Sequence, residues 1–327
     1  MKIALSLCAC AAVVSAQNNG AVVSAGYNLV APVSVAPGQV ITVFVTGVGN
    51  VTQKITAGIL PLPLTLGGIS AKVLQASTAT PVPILAVFPF NACLAGAPPP
   101  PCGTVTGITV QIPFEIYVHI PGTLAPEVIT YLQVSDDAGH TGSMLLDPKL
   151  DSMHVLRSED TVVAADMAQR AGSGGAIVTH ADGTPVSAMN PAKVGEQLVM
   201  YAVGLGVTDP PVKTGVASPA PGVPARGAFA LVYDYRPNAP PSPGLILNTG
   251  DPPPLPAPDF AGLTQGFVGL YQINFLILSP PVGVSACAPS LGVGVNPFAS
   301  ILSNLTVTLV GTTSFDGAAI CVAPETP

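Results

Sequence analysis

The sequence predicts an all-β protein built as two tandem β-sandwiches, and three observations carry that reading. The first is an internal repeat. Residues 38–49 (GQVITVFVTGVG) line up with residues 195–206 (GEQLVMYAVGLG), and residues 111–116 (QIPFEI) line up with residues 272–277 (QINFLI). Two blocks in the same order mean one unit used twice. The second is texture. Apolar residues make up 49% of the chain and come as short runs rich in Val, Ile, Leu and Ala, broken by 34 Gly and 37 Pro. That is the pattern of many short strands joined by turns. The third is length. A chain of 327 residues suits two domains, each large enough to bury its own core.

The elements follow in order. Residues 1–16 read as a secretory signal: Lys2 supplies a minimal positive charge, residues 3–14 are apolar, and Val14-Ser15-Ala16 offers a small-residue cleavage site before Gln17. A second reading of the leader takes Leu7-Cys8-Ala9-Cys10 as a lipoprotein box, which would leave Cys10 lipidated. Residues 17–27 form a lead-in to a first sandwich over 28–146. There Pro37-Gly38 turns the chain into a strand over 40–45, and Gly47 and Gly49 end it. Further strands are expected over 71–75, 84–88, 104–112, 114–119 and 128–135. Asp136-Asp137-Ala138-Gly139 then turns the chain into a strand over 143–146.

Residues 147–174 read as a linker with a short helix over 162–170, ended by Ala171-Gly172-Ser173-Gly174. The second sandwich is expected over 175–323, followed by a tail over 324–327. It opens with a hairpin whose turn is Ala181-Asp182-Gly183-Thr184, because Asp-Gly between apolar runs is a strong turn signal. Strands are expected over 197–203, 228–233, 269–278 and 305–310. Two Pro-rich stretches, 209–224 and 237–258, must be loops or edges, since proline cannot donate to a sheet ladder.

Composition excludes some functions. Only 8% of residues are charged, against roughly a quarter in ordinary domains. The net charge is −7, with ten Lys and Arg spread along the chain. No basic patch exists to neutralise phosphates, so a nucleic-acid partner is not expected. Mean hydropathy is +0.58, yet after the leader no segment of 18 residues escapes Pro, Gly or polar interruption, and no transmembrane segment is expected.

Removing the leader leaves four cysteines: Cys93, Cys102, Cys287 and Cys321. An even count in an exported chain favours disulfides, and three pairings are possible. The repeat favours one bond per half, Cys93–Cys102 and Cys287–Cys321. A zinc site needs closely spaced pairs such as C-x2-C, which are missing.

Few residues suggest chemistry, and no catalytic residue, cofactor or metal is expected. The four histidines, His119, His140, His154 and His180, show no metal-ligand spacing, and no G-x-S-x-G elbow occurs. Asp136, Asp137 and His140 could hold Ca2+, but a solvated hairpin turn is the simpler reading, and the same holds for Asp182 beside His180. Gly204-Leu205-Gly206 mirrors Gly47-Val48-Gly49, which marks a shared backbone bend over a phosphate loop. A binding loop, if present, would use Tyr235 at a loop mouth with Pro253, Pro254 and Pro256.

Several motifs together carry a resemblance: Ala36-Pro37-Gly38-Gln39, Asn190-Pro191-Ala192 with Gly195, Tyr201-Ala202-Val203-Gly204-Leu205-Gly206, and Gly269-Leu270-Tyr271-Gln272-Ile273-Asn274. From about residue 31 to about residue 313 the chain resembles the Solibacter-type uncharacterised C-terminal domain family. That resemblance implies an exported, immunoglobulin-like β architecture of the kind that closes long secreted proteins of Acidobacteria. It implies no activity. The expectation is therefore a secreted or envelope-exposed, non-catalytic module for interaction or structure, with a protein or glycan partner at the cell surface. The alternatives are a binding protein for a glycan or apolar ligand that uses the Pro-rich loops, and then a hydrolase.

Overall fold

Three glycines in each repeat copy set the backbone. Gly38, Gly47 and Gly49 adopt φ of +77°, +68° and +74°, and their counterparts Gly195, Gly204 and Gly206 adopt +82°, +77° and +82°. The computed structural model describes residues 22–24, 32–92, 103–120, 122, 126–157, 176–233, 236–237, 255–280, 286–287, 302–309, 315–318 and 320–323. The expected leader, the helix over 162–170 and the tail lie outside them.

The described residues are all-β. The first half contains β1 (Val22–Ser24), β2 (Val33–Val35), β3 (Val40–Val45), β4 (Ile55–Thr56), β5 (Thr65–Leu66), β6 (Ile69–Gln75), β7 (Thr78–Val82), β8 (Ile84–Ala92), β9 (Gly103–Gln111), β10 (Thr130–Asp136) and β11 (Thr141–Pro148). The second contains β12 (His154–Val155), β13 (Val178–His180), β14 (Gln197–Val203), β15 (Phe229–Val232), β16 (Arg236–Pro237), β17 (Phe260–Leu263), β18 (Tyr271–Leu276), β19 (Leu302–Ser303), β20 (Leu305–Leu309) and β21 (Phe315–Ala318). Among the described residues no helix is long and apolar enough to cross a membrane.

In the first half one sheet runs β1-β3-β9-β8-β4 and another runs β2-β11-β10-β6-β5, with β7 also on β6. In the second half one sheet runs β12-β14-β18-β17, with β13 also on β14, while β15-β20-β21 and β16-β19 form two more. Strand side chains alternate between faces, so the inward rows are legible. On β6, Ile69, Ala71 and Val73 are buried, while Ser70, Lys72 and Leu74 are half-buried. On β3, Ile41, Val43 and Val45 are buried, and at the same repeat positions on β14 so are Leu198, Met200 and Ala202. Each half has its own apolar core. One is drawn from both large sheets of residues 33–146, and the other is drawn from residues 153–322.

The repeat extends to individual backbone bonds. Gly38 N–H donates to Ile112 O (3.0 Å) and Ile112 N–H to Gln39 O (2.8 Å). In the second copy Gly195 N–H donates to Ile277 O (2.8 Å) and Ile277 N–H to Glu196 O (3.0 Å). Ile112 therefore corresponds to Ile277. The match of Gln111 with Gln272 is four residues out of register: Val40 faces Gln111, whereas its counterpart Gln197 faces Leu276. A slip of four residues leaves the two faces of a strand unchanged, so apolar alternation cannot detect it. A further correspondence joins the ends of each half. β2 runs parallel to β11, and Ala192 bridges in parallel to Val322.

Some expected elements differ. Residues 114–119 are not a strand. Pro113 has no N–H to donate, and two of the amides that follow bond to side chains: Phe114 N–H to Thr214 Oγ1 (2.8 Å) and Tyr117 N–H to Gln75 Oε1 (2.9 Å). β7 forms despite Pro81, at the outer side of its pairing with β6. β12 lies in the expected linker, where His154 and Val155 pair with Val203 and Ala202.

The twin glycines allow a paired test. A Cβ on Gly195 would meet nothing within 4 Å, whereas one on Gly38 would sit 2.1 Å from the Phe114 ring. Gly195→Ala should cost only the left-handed backbone penalty, about 1–2 kcal/mol. Gly38→Ala should cost clearly more, because the ring must also move. Urea unfolding of the two variants against the parent reads the difference.

Candidate functional site

The turn that opens each repeat copy places one hydrogen-bonding side chain in the same spot. Gln39 Oε1 accepts Ala36 N–H (2.7 Å), and at the equivalent position Glu196 Oε2 accepts Lys193 N–H (2.9 Å). The other end of each side chain has diverged. Gln39 Nε2 donates to Ser152 O (3.1 Å), between the halves. Glu196 Oε1 instead lies 2.6 Å from Nδ1 of His180, whose Nε2 lies 3.3 Å from Asn190 O. The bond to Glu196 raises the His180 pKa above its ordinary value, against the effect of burial. Burial pushes Glu196 up, but the Lys193 N–H and His180 outweigh it and hold the carboxyl below its usual range. Both ring nitrogens of His180 are thus engaged in fixing its hairpin.

The Pro-rich stretch 209–224 lies along the first half and is not a free loop. Leu62 N–H donates to Gly215 O (2.8 Å), Gly215 N–H to Gln111 Oε1 (2.7 Å) and the Thr214 hydroxyl to Glu115 Oε2 (2.5 Å). Phe114 packs against the core of the second half. At Gly269 the chains approach so closely that a Cβ would sit 2.6 Å from Val40 Cγ2 and 2.8 Å from Gly38 O. Gln111 occupies an outward position between the buried Val110 and Ile112, yet it is fully buried because the second half covers it. Nothing in a single strand's pattern signals such a covered outer face.

A second unforeseen cluster closes the core of the second half. Asp316 on β21 accepts Val155 N–H at Oδ2 (2.8 Å) and Gly317 N–H at Oδ1 (2.8 Å). Arg157 lies 2.9 Å from Oδ1 and His154 Nδ1 lies 3.1 Å from Oδ2. Burial pushes Asp316 up, but the charge of Arg157 and the bond from His154 hold its pKa down to about 2. This cluster ties β12 to β21.

The expected candidates fall as follows. Cys287 and Cys321 are bonded, closing a separation of 34 residues worth about 4 kcal/mol in the chain-entropy account. Cys93, Cys102, Tyr235, Pro253 and Pro254 lie outside the described residues. Pro256 is exposed, beside a buried Leu255 whose N–H donates to Leu231 O (2.8 Å). Asp136 accepts Gly49 N–H (2.8 Å) and His140 N–H (2.8 Å), with His140 Nδ1 at 2.8 Å. Burial pushes its carboxyl up, but these three donors hold it down to about 2. It therefore clamps the bend at Gly49. Among the described residues no group of three or more His, Cys, Asp or Glu is placed to hold a metal ion. Tyr233 and Tyr271 are buried, and burial pushes both phenols up; Tyr117 and Tyr131 are partly exposed.

No protein-family model matches the chain, and no curated protein is similar to it. The Solibacter-type resemblance therefore rests on the quoted motifs alone.

Two outcomes follow from these clusters. Asp316→Asn removes the carboxylate that Arg157 and His154 share, and breaking such a buried pair costs about 3–5 kcal/mol; chemical denaturation measures it. The His180–Glu196 pair predicts a pH window. The His180 contribution is complete below about pH 6.5 and fades as pH rises through the raised folded value. The Glu196 contribution is complete above about pH 4.5 and fades as pH falls through the lowered folded value. The stability difference between the parent and Glu196→Gln should peak between those limits and shrink at alkaline pH, as urea midpoints across pH will show.

Proposed function

We propose that this chain is an exported, non-catalytic module for interaction or structure at the cell surface, made of two immunoglobulin-like β-sandwiches. The strand order supports the architecture. Each half sets an antiparallel β3-β9-β8 or β14-β18-β17 group beside a β6-β10-β11 or β15-β20-β21 group, and its two ends run in parallel. The Cys287–Cys321 bond supports an oxidising compartment. The Solibacter-type resemblance is part of this proposal.

The observation that carries the functional reading is the joint between the halves. Backbone and side-chain bonds from Gly215, Thr214, Gln39 and Gln111 tie the halves together. Two His–carboxylate pairs are occupied in holding backbone: Asp136 fixes Gly49, and Glu196 fixes Lys193. A general base must instead reach a substrate proton. A stiff frame with occupied polar groups suits contact with a partner better than turnover.

Fractionation of the native cell should place the protein outside the cytoplasm with Cys287–Cys321 oxidised in non-reduced peptide maps. A panel of ester, peptide and glycoside substrates should show no turnover above blank, for the parent and for His180→Ala alike. Hydrolysis that disappears on replacing one histidine would overturn the non-catalytic reading.

A further inference from the structure

Two Asn-x-Thr triplets occur in the sequence, Asn50-Val51-Thr52 and Asn304-Leu305-Thr306. In an exported chain this is the acceptor pattern for an N-linked glycan. No other asparagine of the chain has serine or threonine two positions on. The pattern treats the two triplets alike, and the structure separates them.

Asn304 is fully buried between β19 and β20. Its Nδ2 donates to Ile320 O (2.9 Å), and its Oδ1 accepts Ile320 N–H (2.9 Å). Ile320 and the adjoining Leu305 belong to the core of the second half. A sugar on Nδ2 would need space that the core fills, and it would break a buried bond to Ile320. The folded chain therefore has no room for a glycan at Asn304.

Asn50 lies on the segment that joins β3 to β4. The backbone on either side of it is fixed. Gly49 N–H donates to Asp136 Oδ2 (2.8 Å), and the half-buried Val51 packs against the core of the first half. Asn50 and Thr52 flank Val51, and both are exposed. Among the described residues neither side chain takes part in a hydrogen bond, in contrast to the engaged amide of Asn304. Gln53 and Lys54 are exposed as well, so the approach is open.

We propose that Asn50 is an N-glycan acceptor and that Asn304 is not. A glycosyl transferase needs the asparagine amide together with the hydroxyl two positions on, and at residues 50–52 both face solvent. The donor is an oligosaccharide linked to a lipid pyrophosphate. Asn50 Nδ2 forms a bond to the anomeric carbon of the first sugar. The bond from that carbon to the pyrophosphate oxygen breaks, the lipid pyrophosphate leaves with the electron pair, and Nδ2 gives up one proton. No oxidant or reductant is consumed. The product carries a bulky, hydrated group on the outside of the first half. The inference rests on the export part of the proposed function.

The test is mass spectrometry of the protein recovered from the native cell. The tryptic peptide ending at Lys54 should carry a sugar adduct on position 50. An amidase that cleaves the glycan–asparagine bond should remove it and leave an aspartate there. The peptide spanning Asn304 should have its unmodified mass. Asn50→Gln and Thr52→Ala should each abolish the adduct, and Thr52→Ser should keep it. Asn50→Gln should leave the urea midpoint unchanged, because the side chain is exposed and unbonded. A bare Asn50 overturns the proposal. So does an adduct that survives Asn50→Gln but is lost in Thr52→Ala, which marks an oxygen-linked sugar, and so does a glycan on Asn304. A protein outside the cytoplasm with Cys287–Cys321 oxidised and Asn50 bare overturns the acceptor alone and leaves the export reading standing. A cytoplasmic protein overturns both.

Discussion

The buried amide of Gln111 is the contact on which the arrangement of the two halves depends. Its Oε1 accepts the Gly215 N–H, and its Nε2 lies 3.4 Å from Gly38 O. One side chain, on the last residue of β9, therefore joins the opening turn of the first repeat copy to the docked stretch of the second half. A buried amide left without partners costs about 1–3 kcal/mol, so the position tolerates little else. Gly38 and Gly269 complete the fit by carrying no side chain where the chains close on each other. The stretch 209–224 then acts as a strap that holds the halves in one orientation.

Much of the frame is legible in the residues themselves. Gly38, Gly47 and Gly49 recur as Gly195, Gly204 and Gly206 because the same left-handed bends are needed twice. Strands such as β6, β10, β11 and β14 show plain alternation because one face meets a core. Register is less legible. The slip between Gln111 and Gln272 preserved every face and so left no trace in the pattern. β17 and β21 are four residues each, too short for alternation to stand out beside proline and glycine. The Asp316 cluster joins residues about 160 positions apart, and such a pairing depends on tertiary closure alone.

The twin turns show how duplication frees one copy to change. Both copies keep the bond from residue 39 or 196 back to the N–H three residues earlier, because that bond builds the turn. The remaining atom is unconstrained by the turn. In the first copy it is an amide nitrogen that donates to a carbonyl between the halves. In the second it is a carboxylate oxygen beside His180. The difference follows the surroundings. The first copy's turn is covered by the second half, where an unpaired charge would be costly. The second copy's turn is open at Gly195, where a carboxylate stays hydrated on one side.

The parallel pairing at the ends of each half has a mechanical consequence. β2 and β11 run the same way, so a pull applied at the start of β2 and at the end of β11 drives the strands in opposite directions along their common axis. The bond from Lys149 N–H to Val35 O (2.8 Å) and the adjoining core contacts are then loaded together in shear, whereas an antiparallel pair pulled from its open end unzips one bond at a time. In the second half Ala192 sits between Cys321 O (2.9 Å) and Ala323 N–H (2.7 Å), and the Cys287–Cys321 crosslink anchors that strand covalently. A chain built this way resists stretching along its length more than its modest size suggests.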